Sequence, residues 1–486
     1  MKRSTLLILA SLSIFSVGTY LIVSAFYYHN GFPLDDAWIH QTYARNLVLF
    51  GEWAFSPGQL SGGSTSPLWT VLLSFSYLFH IPPLVWTFSL GVIILWGLAL
   101  LAEFTVRQEI DAYRARFPWI GSIVIFEWHL VWAAASGMET LLFSFFAMWV
   151  LVSLLSRKPR FLVIGILIGI SIWLRPDGLT LLGPAFMVGL LEKVPLKQKF
   201  INLSNIIIGF SSIFIFYLLF TLALTGNPWP TTFYAKQAEY LSVVDYSIVE
   251  RFGKLLIQLF VGVGIILLPG IILTTIDAII KKKWNILAGL IWLVGLVGLY
   301  AWRLPVSYQH GRYLIPSMVV LFIFSFVGVN IFFKKNRSGW YWSLGKVWKL
   351  AIGLVLIIFW GYGSIVYAKD VAFIESEMVV TARWVAKNIP ENSLIASHDI
   401  GALGYFGNHK IVDLAGLISP DVIPFLQDEN LLKRYMDQKM VDYLITFPSW
   451  YPLLIKGLPE IYQTGGSIAP LMGGENLVIY QWLDNR

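Results

Sequence analysis

Long apolar runs separated by short basic clusters constrain this chain more than any other feature. The runs lie at 5–27, 84–106, 118–135, 140–156, 161–175, 178–192, 201–224, 255–280, 284–302, 313–333 and 347–368. Several approach or exceed the ~20 residues a helix needs to cross a bilayer, where a helix satisfies its own backbone groups without water. With 57% hydrophobic and 13% charged residues, no single soluble core could hide this much apolar surface. The chain reads as a polytopic α-helical membrane protein of about eleven spans. The first run follows Lys2 and Arg3 and ends without a small-residue cleavage pattern, so it is expected to be a retained span rather than a signal peptide.

Charge sets the expected topology. The segment Pro67 to Phe79 is short for a span. If it does not cross, the basic connectors fall on one side: Lys2 and Arg3; Arg107, Arg114 and Arg116; Arg157, Lys158 and Arg160; Lys193, Lys197 and Lys199; Lys281 to Lys283; and Lys334, Lys335 and Arg337. That is the cytoplasmic pattern, so the N-terminus is expected in the cytoplasm and Pro67–Phe79 at the outer interface. The net charge of +7 is explained by these loops, which argues against nucleic acid as a partner. The absence of cysteine excludes disulfides and thiolate metal sites.

Two regions are expected: a transmembrane catalytic domain over 1–368, with a first outer loop at 28–83 carrying interfacial helices, and a small extracytoplasmic α/β domain over 369–486. In the tail, 393–397, 410–414, 441–447 and 476–482 read as strands, with helical patterns near 375–388 and 420–437.

The outer face collects the unusual polar residues. Asp35 and Asp36 are adjacent carboxylates among Phe32, Trp38 and Tyr43, where desolvation and like-charge repulsion would raise at least one pKa and suit it to proton abstraction. The alternative is a solvated turn. One carboxylate, Asp36, could instead bind a divalent cation such as Mg, Mn or Ca; no cofactor is otherwise indicated. Arg175, Arg303, His310 and Arg312 run against the positive-inside bias. They are either interfacial anchors or ligands for a lipid-linked phosphate. Asp177 follows Arg175 in the Arg-Pro-Asp turn. Glu139 stands at an outer helix start, where capping alone could account for it.

Glu127 and His129 lie within a span, as a functional or a structural pair. The Ser61–Ser66 stretch lacks the lysine of a phosphate loop and reads as a flexible turn. His398–Asp399 has no third group at recognisable spacing to make a catalytic set.

The order PLDDAWIHQTYARNL, GEWAFSPG, SGGSTSPLWT, SGMETLLF, RPDG and HGRYLIP resembles the GT-C superfamily of polytopic glycosyltransferases. It is most similar to the arabinofuranosyltransferase-like branch with a DD motif in the first outer loop. The resemblance implies a polyprenyl-phosphate-linked sugar donor, inverting transfer to a glycan, lipid or protein acceptor on the outer face of the plasma membrane, and Asp35 or Asp36 as general base, with Asp35 preferred. For such a donor, the outer-end cations Arg312, Arg175, His310 and Arg303 are expected at the phosphate, and Glu139, Asp177, Trp38 and Tyr43 at the substrate. A multi-span transporter or flippase of a lipid-linked saccharide is the alternative, although no internal repeat is visible.

Overall fold

The computed structural model describes residues 2–110, 117–240, 246–306, 309–335 and 340–482. Arg114, Arg116 and Arg337, three of the basic connector residues, lie outside the described residues. Among those described, seven helices are long and apolar enough to cross a membrane: Arg3–Tyr27, Pro83–Glu109, Leu196–Thr225, Val263–Ile280, Trp284–Arg303, Gln309–Phe333 and the long helical run from Ser343. Shorter apolar helices at Thr140–Leu155, Phe161–Leu174 and Pro176–Leu191 pack among them. The protein is a multi-pass membrane protein. Many large apolar side chains on the long helices, among them Phe26, Ile93, Phe216 and Ile357, stay exposed, as expected of surfaces made for lipid.

Two expected spans differ from a continuous helix: 255–280 is divided between the helices Ile248–Gln258 and Val263–Ile280, with Gly262 at positive φ ahead of the second, and 118–135 is broken as well. Residues 118–135 form two short helices, Trp119–Phe126 and Trp128–Ala135, with Glu127 extended between them. The Glu127 carboxylate caps the second helix by accepting from the Leu130 N–H at 3.1 Å, and its other oxygen meets His129 Nδ1 at 2.8 Å. A side chain that satisfies the freed N–H groups makes such a break tolerable at depth.

The first loop builds a platform. The helix Asp36–Phe50 ends at Gly51, whose left-handed conformation closes it. A small hairpin follows, β1 (Ala54–Ser56) with β2 (Gln59–Leu60). Next comes the helix Pro67–Leu78, whose twelve residues rise about 18 Å, too little to cross a bilayer. Trp69 donates its indole N–H to the Gly137 carbonyl at 2.8 Å and ties this helix to the SGMET turn.

The tail carries a five-stranded sheet: β3 (Leu394–Ser397), β4 (Lys410–Asp413), β5 (Tyr443–Thr446), β6 (Glu460–Gln463) and β7 (Val478–Gln481), in the order β4-β3-β5-β7-β6. β3 is parallel to β4 and β5, whereas β7 is antiparallel to β5 and β6. The helix Glu429–Lys439 covers it with Leu432 and Met436, which are buried with Val412, Leu444 and Val478.

A separate apolar cluster joins this sheet to the first loop. Ile39, Tyr43, Trp53 and Phe55 pack there with Ile400, Ala415 and Leu417. The short helix Gly401–Phe406 is clamped between the two. Asp35 accepts from the Gly401 and Ala402 N–H groups at 2.6 and 2.8 Å, and Arg45 donates to the Tyr405 and Gly404 carbonyls at 2.5 and 3.1 Å. An acid at the first N–H groups and a base at the last carbonyls satisfy the backbone groups a helix leaves unpaired.

Candidate functional site

Two cavities meet at one wall. A cavity of about 630 Å³ lies between the first loop and the sheet, and one of about 540 Å³ lies beside Arg175, Tyr300 and Trp229. Asp36, Ile39, Lys236, Arg312 and Leu417 line both.

The wall is held by charge. Asp36 Oδ2 accepts from Arg312 Nη2 at 2.7 Å and from Lys236 Nζ at 3.4 Å. Both cations also reach the Tyr313 hydroxyl, at 3.0 and 3.3 Å. Burial alone would raise the pKa of Asp36, but Lys236 and Arg312 outweigh it and hold the carboxyl below the usual range. Arg312 is 3% exposed, yet its Nε and Nη1 have no hydrogen-bond partner among the described residues. A buried guanidinium with two idle donors is costly unless something anionic completes it.

Asp35 is used differently. It is 9% exposed, and both its oxygens face the two amides of the clamped helix. Burial, then the charge of Asp399, pushes its pKa up to about 8 against the opposing pull of those two N–H groups.

Arg175 is already saturated. Its Nη1, Nε and Nη2 meet Glu139 at 2.7 Å, Asp177 at 2.9 Å and the Tyr300 hydroxyl at 2.9 Å, while Tyr300 also bonds Asp177. Glu139 is shared with His40, whose Nε2 lies 3.6 Å from it. Against its burial, His40 and Arg175 lower the Glu139 pKa to about 2. His40 Nδ1 in turn faces Ser64 and Thr70, each at 3.2 Å, so the SGGSTS stretch supports this network rather than cradling a phosphate. Arg303 lines the second cavity, its guanidinium 4.1 Å from the Trp302 ring centroid.

Asp35, Asp36, Arg175, Arg303, Arg312, Glu139 and Asp177 thus gather at the cavities. Three other residues do not. His310 bonds Asp370 at 2.7 Å with its ring against Trp128 and Trp132, away from both linings. Trp38 packs on Phe32, Tyr405 and Phe406. The buried Tyr43 hydroxyl bonds Ser61 Oγ and the Gly63 N–H.

Lys236 and Trp450 line the cavities without having been singled out from sequence, and His398 and Asp399, set aside there for want of a third group, line the first cavity too. The long outer loop could have drawn attention to Lys236. The others are brought beside Asp35 by sheet packing more than 360 residues away.

Asp36 stands among cations rather than in a cluster of metal-ligating side chains. Two cationic side chains already occupy Oδ2, and among the described residues no three His, Asp or Glu side chains converge to ligate a metal.

This arrangement of spans, first-loop helices and C-terminal unit is the GT-C fold. The similar structures include ArnT from Cupriavidus metallidurans bound to undecaprenyl phosphate, at 11% identity and TM-score 0.58, covering 100% of this chain and 99% of that one. Another is the oligosaccharyltransferase AglB from Archaeoglobus fulgidus with an inhibitory peptide and a dolichol-phosphate, at 12% identity and TM-score 0.55, covering 91% and 69%. An oligosaccharyltransferase structure from Archaeoglobus fulgidus in complex with Zn and sulfate matches at 13% identity and TM-score 0.56, covering 93% and 69%. A family profile described as a domain of unknown function (DUF8728) matches residues 369–480. No curated protein matches the sequence.

Proposed function

We propose that this protein transfers a glycosyl group from a polyprenyl-phosphate-linked sugar to an acceptor hydroxyl, on the extracytoplasmic side of the plasma membrane. The observation that carries the reading is Arg312: a buried guanidinium, two of its donors idle, on the wall between two cavities. Its planar fork suits a phosphate ester. The lipid-phosphate ligands of the ArnT and AglB structures support the same chemistry for a chain of this fold.

In this reading the donor phosphate enters the cavity beside Arg175 and rests on Arg312, with Lys236 and Arg303 in reach of its charge. Arg175 shapes that cavity through Glu139 and Asp177 rather than holding phosphate itself. Asp36 is the general base. The resemblance favours Asp35, but the geometry favours Asp36, because both Asp35 oxygens are taken by backbone amides. A phosphate seated on Arg312 competes with Asp36 for the guanidinium, relaxes the ion pair, and raises the affinity of Asp36 for a proton. The base is therefore strengthened once donor is bound.

The acceptor oxygen, deprotonated at Asp36, attacks the anomeric carbon as the bond to the phosphate oxygen breaks. The leaving polyprenyl phosphate keeps that electron pair, and its growing charge is met by Arg312 and Lys236. Cavities on opposite sides of the wall suit a single displacement with inversion. The two basic side chains supply the positive charge at this point.

The test is undecaprenyl phosphate affinity of the purified full chain. Arg312→Ala should weaken it by roughly 10- to 150-fold, the worth of a charge-assisted bond, and Arg312→Lys by less. Unchanged affinity in both variants would refute the assignment.

A further inference from the structure

The cavity on the sheet side is lined chiefly by the C-terminal unit. We infer that it is a subsite for a neutral saccharide, which is the acceptor; this rests on the glycosyl-transfer reading above.

Its charges are nearly balanced. Asp35, pushed up to about 8, is mostly protonated at neutral pH, and His398, which Asp399, Glu239 and Asp413 raise to about 9 against its burial, is mostly charged. The carboxylates of Asp36, Glu239, Asp399 and Glu475 then face Lys236, Arg312 and His398. Lys236 and Arg312 stand on the shared wall and are engaged by Asp36, and the imidazole lies 3.5 Å from Asp399. Beyond the two cations of the shared wall, this lining adds only His398, which Asp399 engages, so nothing on the sheet side itself is set to hold a phosphate, sulfate or uronate. The other cavity, by contrast, adds Arg303.

The polar groups here are those that recognise hydroxyls. Carboxylates accept from O–H donors in pairs, and Asp399 and Glu475 stand on two different loops of the sheet. Trp450 lines the same cavity, 45% exposed, in a T-shaped contact with His398 at 4.9 Å and tilted against Phe447 at 5.0 Å. A half-exposed aromatic ring beside carboxylates offers an apolar surface to the C–H face of a sugar and acceptors to its rim. Glu475 Oε2 accepts from the Ser449 N–H at 2.8 Å, which fixes the Trp450 loop before any ligand arrives. Arg312 lines this cavity as well as the other, so the shared wall is the junction where acceptor and donor would meet.

The detergent-solubilised full chain is applied to a glycan array carrying neutral, amino, phosphorylated, sulfated and uronate glycans. Undecaprenyl phosphate affinity is measured on the same preparations. Neutral glycans should bind best. Trp450→Ala and Glu475→Gln should lower that signal roughly tenfold, and Trp450→Phe should restore part of it, with undecaprenyl phosphate affinity unchanged. A preference for charged glycans, binding to none, or equal binding by the Trp450→Ala and Glu475→Gln variants would overturn the inference. Loss of undecaprenyl phosphate binding by the wild-type chain would instead refute the donor reading, since the array reports the saccharide arm independently.

Discussion

Asp35 and Asp36 are neighbours in sequence but do different work, because the helix starting at Asp36 turns their side chains apart. One meets two backbone amides and the other two cations. Asp36→Asn should cut turnover by ~10² to 10⁴, the usual worth of a positioned base, while Asp35→Asn should cost far less turnover and more stability. Steady-state kcat for the two variants, measured with a polyprenyl-phosphate sugar, separates these outcomes; equal losses would return the base role to both. A second expectation concerns pH. The folded pKa of Asp35, about 8, lies above its ordinary value near 4, so the stability it contributes is fully present at low pH and is lost as pH rises through about 8. Asn cannot titrate. The Tm of the wild-type chain should therefore fall more steeply than that of Asp35→Asn between pH 5 and 8, and parallel slopes would contradict the assignment. The acidic pair was legible in the sequence as a candidate site, but the division of labour was not, since Gly401, Ala402 and Lys236 are distant in the chain.

The clamped helix Gly401–Phe406 shows how an element can be dictated by what approaches it. A Cβ on Gly404 would stand 2.1 Å from the Phe55 ring, and one on Gly401 2.0 Å from the Asp35 carbonyl oxygen. Gly404→Ala should destabilise by ~1 to 3 kcal/mol and loosen the sheet from the first loop. Gly183→Ala, in the helix Leu182–Leu191 with open space around it, should be neutral or stabilising by up to ~1 kcal/mol. Denaturation midpoints and limited proteolysis of the two variants test the contrast, and equal effects would count against the docking account. Four strands of the tail were legible because β3, β4, β5 and β7 each carry two or three adjacent residues from Leu, Ile, Val and Tyr. Strand β6, Glu460–Gln463, was missed because it is largely exposed and lacks a clear apolar alternation. The break at Glu127 was hidden by the apolar residues on both sides of it.

At the scale of the whole molecule, two cavities lie on opposite sides of a wall made from the first loop, the helix Thr231–Glu239 and Arg312, and the proposed function assigns one to a lipid-linked donor and the other to a saccharide. The sheet closes one side. The multi-pass character and GT-C fold were legible because apolar runs and basic connectors report directly on lipid; the sheet-side lining was not, because tertiary packing alone assembles it. The account requires the sheet outside and the basic loops inside. The chain has no cysteine, so Ser449→Cys and Arg157→Cys give clean single labels. An impermeant thiol reagent should label the first in intact cells and the second only after lysis; labelling of both from one side would contradict the topology. The most direct test of the central claim is release of undecaprenyl phosphate from undecaprenyl-phosphate sugars by the chain in proteoliposomes, with neutral glycans as acceptors. The account predicts acceptor-dependent release by the wild-type chain and a loss of at least ~10² in Asp36→Asn. Release at the wild-type rate by both Asp36→Asn and Arg312→Ala, or none from any donor in the panel, would contradict it.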